Sequence, residues 1–338
     1  MTPLVNRQWR LKQRPTGNPS VENFEFSQVS VPELQINEIL VKTIFLSVDP
    51  YMRGRMRNVR SYVKPLEINE VLEGGVVGQV VHSRHLKFKE GDIVSGRLGW
   101  QDYAISNGEG LRKLSYPKNQ LSMALGVLGM TGLTAYFALK KIGQPKKGET
   151  ILISGAAGAV GSVVGQLAKL VGCQVVGIAG SDIKIKFLKE ECGFDAAFNY
   201  KTADNIRKSI KDHCPQGVDI YFDNVGGEIS DAVITQINLK ARIIICGQIS
   251  IANREKTEFG PRNLLYLLVK RARMEGFLVH DYQDEYEQAL NELEDLVMSG
   301  KIKSKESMIQ GLENAPKAFI GLFSGDNIGK QLVQVSSI

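Results

Sequence analysis

The sequence predicts an α/β protein: a doubly wound parallel sheet inserted in a β-rich, barrel-like domain made by both chain ends. Three observations predict it. Residues 150–184 form a glycine-rich strand–turn–helix–strand unit, and strand and helix patterns alternate from Glu149 onward. Residues 1–125 instead carry short apolar alternations punctuated by glycine. The 338 residues, 43% of them hydrophobic, suffice for two cores.

In the first segment the alternations predict strands at 38–46, 71–82, 91–98 and 100–105, as in a small barrel. Residues 121–139 read as helical, broken at 129–132, where two glycines interrupt the pattern. Short apolar runs then predict strands at 150–154, 174–179, 195–199, 218–222, 241–246 and 274–279. Helical patterns at 159–171, 182–191, 202–213, 227–238 and 261–271 separate them. A helix over 282–299 puts Tyr286, Ala289, Leu290, Leu293, Leu296 and Val297 on one face. Pro316 opens another helix that ends before Gly325, and 331–335 is a last strand. The tail is expected to return to the first domain. The domains are then 1–125 plus 300–338, and 126–299, with ligands in the cleft between them.

Composition narrows the function. No apolar run reaches the roughly 18–20 residues of a membrane span. The first ten residues hold no apolar signal core, so a soluble, cytoplasmic protein is expected. Cys173, Cys192, Cys214 and Cys246 are scattered, with no C-x-x-C pair and no histidine at ligand spacing. That argues against both a zinc site and a disulfide framework. The net charge of +6 is spread along the chain without a basic run interleaved with aromatics, which disfavours nucleic acid as the main partner. No nucleophile elbow, zincin helix or P-loop lysine is present, and His82, His85, His213 and His280 have no convincing partners in sequence.

The glycine turn carries the chemistry. Gly158 and Gly161 fill the second and third glycine places of a dinucleotide fingerprint, with Ala156 in the first and Ala159 and Val160 between. Gly158 lets the backbone approach a pyrophosphate at a helix N-terminus. The second strand ends without the acidic residue that would accept from a ribose 2′-OH. Ser181 and Lys184 stand there instead and would welcome a 2′-phosphate, so NADP(H) is expected. Ser181 or Asp182 could equally be a helix N-cap. Tyr200, after the third strand, is placed to flank the adenosine. Asn224, Cys246 and Gly247 follow the next two strands and are placed to face the cofactor, although glycines there could simply close strands and open helices.

Longer stretches resemble a known family. They are 46–56 (Leu-Ser-Val-Asp-Pro-Tyr-Met-Arg-Gly-Arg-Met), 99–103, 126–130, 198–201, 222–227, 311–316 and 325–330. On these the chain resembles the zinc-free medium-chain dehydrogenase/reductase proteins. Within them it is similar to the leukotriene and prostaglandin reductases, plant alkenal reductases and bacterial curcumin reductase. The resemblance implies a GroES-like domain around a Rossmann domain, NADPH, no metal, and a homodimer. It adds Phe277, Leu278, Val279 and Asn327 to the cofactor set, and Tyr51 to the substrate pocket as the candidate catalytic residue. The implied reaction sends hydride to the β-carbon of an α,β-unsaturated ketone or aldehyde. Tyr51 OH and the cofactor's own ribose 2′-OH are placed to donate to the developing enolate oxygen. A proton then reaches the α-carbon from Tyr51 or water. The alternative reading of Tyr51 is packing beside Met52. A quinone reductase is the rival reading, and an NADPH-binding sensor or nucleic-acid binder without turnover is the rival of another class. Two departures from the family stand out: Ala252 where relatives carry tyrosine, and Thr131 where they carry proline, a change expected to alter loop stiffness.

Overall fold

The computed structural model describes residues 4–337. Two compact units divide it: residues 1–125, 306–327 and 331–338 form one, and 126–305 with 328–330 the other.

The first unit opens with a hairpin of β1 (Val5–Leu11) and β2 (Phe24–Ser30), paired antiparallel from Val5↔Ser30 to Leu11↔Phe24. Then come β3 (Ile39–Ser47), α1 (Met52–Arg55), β4 (Gly75–Ser83), β5 (Ile93–Arg97), β6 (Tyr103–Ser106) and β7 (Arg112–Lys113). Nearly every residue of β3 is buried, because it pairs with both β4 and β6 at the sheet's middle. Register shifts between Leu40 and Val41 and between Thr43 and Phe45 interrupt the β3–β4 ladder, as bulges do where a sheet bends. Trp9, Leu11, Phe24, Trp100 and Phe319 share the core, and Trp9 Nε1 donates to Leu312 O at 2.8 Å. Arg53 in α1 is 2% exposed, and its Nη2 donates to Pro15 O and Gly17 O at 3.2 and 3.0 Å. Burial lowers the Arg53 guanidinium to about 10. These bonds tie the short helix that begins at Met52 to the chain before β2.

The second unit runs through α2 (Met130–Phe137), β8 (Thr150–Ile153), α3 (Gly161–Val171), β9 (Gln174–Ala179), α4 (Asp182–Lys186), β10 (Ala196–Asn199) and α5 (Ile206–His213). It continues with β11 (Val218–Asp223), α6 (Gly227–Ile234), β12 (Ile237–Ile245), α7 (Leu264–Lys270), β13 (Arg273–Gly276) and α8 (Tyr286–Met298). Its six strands are parallel in the order β10-β9-β8-β11-β12-β13. β8 is buried throughout, as a central parallel strand covered on both faces must be. The strand order reverses between β8 and β11, and ligands of such sheets gather outside the carboxyl ends there. The tail, β14 (Glu306–Gln310), α9 (Ala315–Ser324) and β15 (Lys330–Gln334), adds two strands beside β3. The fold class read from the sequence is therefore the one observed.

Several boundaries differ from those expected. The β1–β2 hairpin went unread. The strand expected at 274–279 ends at Gly276, so Phe277, Leu278 and Val279 lie beyond it. The helix expected at 202–213 begins only at Ile206, where Asn205 Oδ1 accepts from Lys208 N at 3.0 Å and caps it. Thr131 sits in the first turn of α2 rather than in a loop. It is 5% exposed, and its hydroxyl finds no hydrogen-bond partner among the described residues. Residues 300–305 and 328–330 group with the second unit. The reason is local pairing: Lys303 N donates to Gln166 Oε1 at 2.8 Å, and Gly329 N to Ala157 O at 2.8 Å.

Candidate functional site

β8 ends in Ile153, and Ser154 and Gly155 begin the turn. Gly155 has φ +58, and Gly158 N donates to Gly155 O at 3.0 Å to close the turn. A Cβ on Gly161 would stand 2.7 Å from Gly155 O and 2.8 Å from Ala156 Cα. Those are backbone atoms and cannot swing aside. Gly161→Ala is therefore expected to cost about 1–3 kcal/mol and to weaken dinucleotide binding. Chemical denaturation and a cofactor titration check both. Ala159 and Val160 are half-buried, and Val160 precedes the first residue of the eleven-residue α3. Behind the turn, Gly158 and Gly329 form a parallel bridge, so the tail segment 328–330 braces the turn.

The end of β9 gathers Gly180, Ser181, Lys184 and Tyr200. Ser181 caps α4 through its carbonyl, which accepts from Lys184 N and Ile185 N at 3.1 Å, while its hydroxyl makes no capping bond. The side-chain cap reading of Ser181 does not hold. Lys184 is half-buried. A Cβ on Gly180 would stand 3.1 Å from Tyr200 Cε1 and 3.2 Å from Lys201 Cε. Lys201 is thus a second cation at this strand end, and the sequence reading did not assign it. Its only signal was its place beside Tyr200.

The turns after β11 and β12 interlock. Cys246 N and Gly247 N donate to Asp223 O at 2.9 and 3.0 Å, and Ser250 N donates to Val225 O at 3.0 Å. Asn224 N donates to Ser154 Oγ at 3.0 Å, and Asn224 Nδ2 to Ser154 O at 2.8 Å. The side-chain amide is thereby pinned across β8 and β11. Burial, with a smaller contribution from Asp223, pushes the Cys246 thiol up to about 12, so it stays protonated and is no nucleophile at neutral pH. Gly226 has φ +75, and a Cβ there would collide with Gln248 Oε1. It is the positive φ that requires glycine here, since the Gln248 side chain can swing aside. Phe277 and Val279 are half-buried and Leu278 is exposed, beyond the carboxyl end of β13.

In the first unit, Tyr51 caps α1, and its carbonyl accepts from Gly54 N at 3.0 Å. Its ring packs against the buried apolar core of the first unit. Burial pushes its phenol well above the ordinary tyrosine range; Asp49 and Glu73 push the same way and Arg97 opposes them. Ser47 Oγ donates to Asp49 Oδ2, and Arg55 Nη2 to Glu73 Oε1 at 2.6 Å. Tyr51 therefore remains a hydroxyl, a donor, throughout the neutral range. Asn327 follows the Gly325 that ends α9.

Ala252 ends a short 3₁₀ turn at Ile249–Ile251 and is half-buried. Among the described residues no group of three or more histidine, cysteine, aspartate or glutamate side chains could hold a metal ion.

Residues 7–114 match the family described as the N-terminal domain of oxidoreductase, and residues 159–295 the family described as zinc-binding dehydrogenase. The NADPH-dependent curcumin reductase of Escherichia coli (strain K12) is 44% identical over 98% of this chain and 97% of its own length. The 2-alkenal reductase (NADP(+)-dependent) of Nicotiana tabacum is 46% identical over 98% of both chains. The crystal structure of CurA in complex with NADPH from Vibrio vulnificus matches with a TM-score of 0.94 at 45% identity, covering 98% of this chain and 100% of that one. With identity of this order over 98% of its length and a TM-score of 0.94, the chain belongs to the medium-chain dehydrogenase/reductase family.

Proposed function

We propose that this protein is an NADPH-dependent reductase of the conjugated C=C bond in α,β-unsaturated ketones and aldehydes. The observation that carries this is its full-length similarity to curcumin and 2-alkenal reductases, joined to a glycine cradle at Gly158 and Gly161 that a Cβ would fill. When bound, NADPH supplies the hydride that adds to the β-carbon. In this reading the turn from Gly158 to Gly161 holds the pyrophosphate against the start of α3. Ser181 and Lys184, with Lys201, hold the 2′-phosphate, and Tyr200 flanks the adenosine. Asn224, Cys246, Gly247, Phe277, Leu278, Val279 and Asn327 line the cofactor. Tyr51 donates to the carbonyl oxygen as negative charge develops there. Ala252 offers no hydroxyl, so the pocket is roomier and relies on Tyr51 the more. No zinc takes part.

The test is NADPH and NADH oxidation, followed by absorbance, against a long-chain 2-alkenal, an aryl enone and a benzoquinone. Turnover of alkenal or enone with NADPH preferred supports the reading. Turnover of quinone alone moves the protein to quinone reduction. NADPH binding without turnover of any acceptor makes it a sensor.

We place the protein in the cytoplasm as a homodimer; among the described residues no single helix is long and apolar enough to cross a membrane. The dimer reading is supported by one face of the second unit. Leu264, Leu265, Leu268 and Val269 of α7 are 72, 67, 73 and 64% exposed; the helix packs on β12, the neighbour of the edge strand β13. An apolar patch next to an open strand edge is a docking surface, and a second copy can cover it symmetrically. Leu268→Asp is expected to convert the dimer to a monomer in sedimentation velocity. A wild-type monomer, or a variant that stays dimeric, would contradict this assignment.

A further inference from the structure

We infer that Asp223 is a positioning residue for the cofactor, holding three separate turns in one arrangement through its buried carboxylate. The inference rests on the proposed NADPH-dependent activity. Asp223 ends β11 and is 1% exposed. Its Oδ1 accepts from Ser154 Oγ at 3.0 Å, Tyr221 OH at 2.9 Å, Val225 N at 3.0 Å and Gly226 N at 2.9 Å. Its Oδ2 accepts from Ser230 Oγ and, at 3.1 Å, from Gln248 Nε2. Its backbone carbonyl takes Cys246 N and Gly247 N.

One residue thus ties together the turn after β8, the turn after β11 and the turn after β12. These are the three strands around the place where the strand order reverses. The six donors are neutral hydroxyls and amides, and the roughly four acceptor sites of a carboxylate take them all only by sharing lone pairs. No neutral side chain of this size can replace it: asparagine would turn an NH₂ donor toward hydroxyls and N–H groups already donating. The Ser154 hydroxyl extends the tie, since it donates to Asp223 and accepts from Asn224 N. Asn224, which is assigned to the cofactor, is therefore placed by Asp223 at second hand. Lys184 and Tyr200 stand apart from this arrangement, at the ends of β9 and β10.

That separation supplies the test. Adenosine 2′-monophosphate lacks the 5′-phosphate that reaches the turn after β8, so it engages the end of β9 only, whereas NADPH spans both regions. Asp223→Asn, Gln248→Leu and Ser230→Ala are titrated with each ligand, alongside kcat on a 2-alkenal. The expected result is NADPH affinity lowered about tenfold or more in Asp223→Asn and about threefold to tenfold in the other two. Affinity for the 2′-monophosphate stays within about twofold, as expected for an unperturbed distant subsite. Equal weakening of both ligands, or loss of thermal stability with NADPH affinity unchanged, would overturn the inference and leave Asp223 a purely structural group. If Asp223→Asn does not fold, Gln248→Leu and Ser230→Ala keep the carboxylate and decide the matter by the same comparison. Failure of the wild type to bind NADPH would count against the proposed function instead.

Discussion

Tyr51→Phe is expected to lower kcat on a 2-alkenal by about 10²-fold, with KM for NADPH unchanged, because a donor aimed at a developing oxyanion acts in the transition state. The substitution deletes one oxygen and leaves the ring packed against the apolar core of the first unit, so stability should change little. The pH dependence follows from the same surroundings. Burial first, then Asp49 and Glu73, favours the neutral phenol, with Arg97 opposing. Raising a tyrosine's pKa extends the range in which it can donate. The wild-type kcat should therefore show no alkaline fall assignable to Tyr51 between about pH 7 and 10, the ordinary tyrosine value. A fall within that window that vanishes in Tyr51→Phe would show the hydroxyl ionising too early to serve. An unchanged kcat in Tyr51→Phe would reduce the residue to packing.

Lys184→Gln is expected to lower kcat/KM for NADPH by about 10- to 100-fold while leaving NADH nearly untouched, since a charge-assisted bond to phosphate contributes about 1.5–3 kcal/mol. Only the 2′-phosphate separates the two cofactors, so the ratio of the two kcat/KM values is the measurement. Lys201 makes a second expectation. With its Cε near Gly180, it should preserve part of the NADPH preference in Lys184→Gln, and Lys184→Gln/Lys201→Gln should abolish it. Equal losses with both cofactors would show that Lys184 supports the helix rather than the phosphate.

Some of the site was legible because it is local. The βαβ unit from 150 to 184 announces itself by period and by glycine spacing, and β8, α3 and β9 lie there. Other parts were hidden by distance along the chain. Ser154 looks like the last residue of a strand, yet it bonds to Asp223 and Asn224, some seventy positions later. Gly155, rather than the assigned Ala156, carries the positive φ, because the turn bends one residue earlier than the fingerprint alignment suggested. The β1–β2 hairpin escaped because charged and polar side chains interrupt its apolar alternation, while Trp9, Leu11 and Phe24 are buried by partners from elsewhere in the first unit.

By itself the sequence determined the fold class, the glycine cradle and the lack of an acidic residue at the end of the second strand. Each depends on periodicity, steric freedom or charge among residues close in the chain. Only the tertiary structure decided which residues stiffen that cradle. It placed Asp223 among donors from three turns, Gly329 against Gly158, and Lys201 over Gly180. It also left the face of α7 uncovered. The physical reason is that a hydrogen bond or a close approach requires proximity in space. Parallel strands bring that proximity about between segments whose sequences carry no mark of one another.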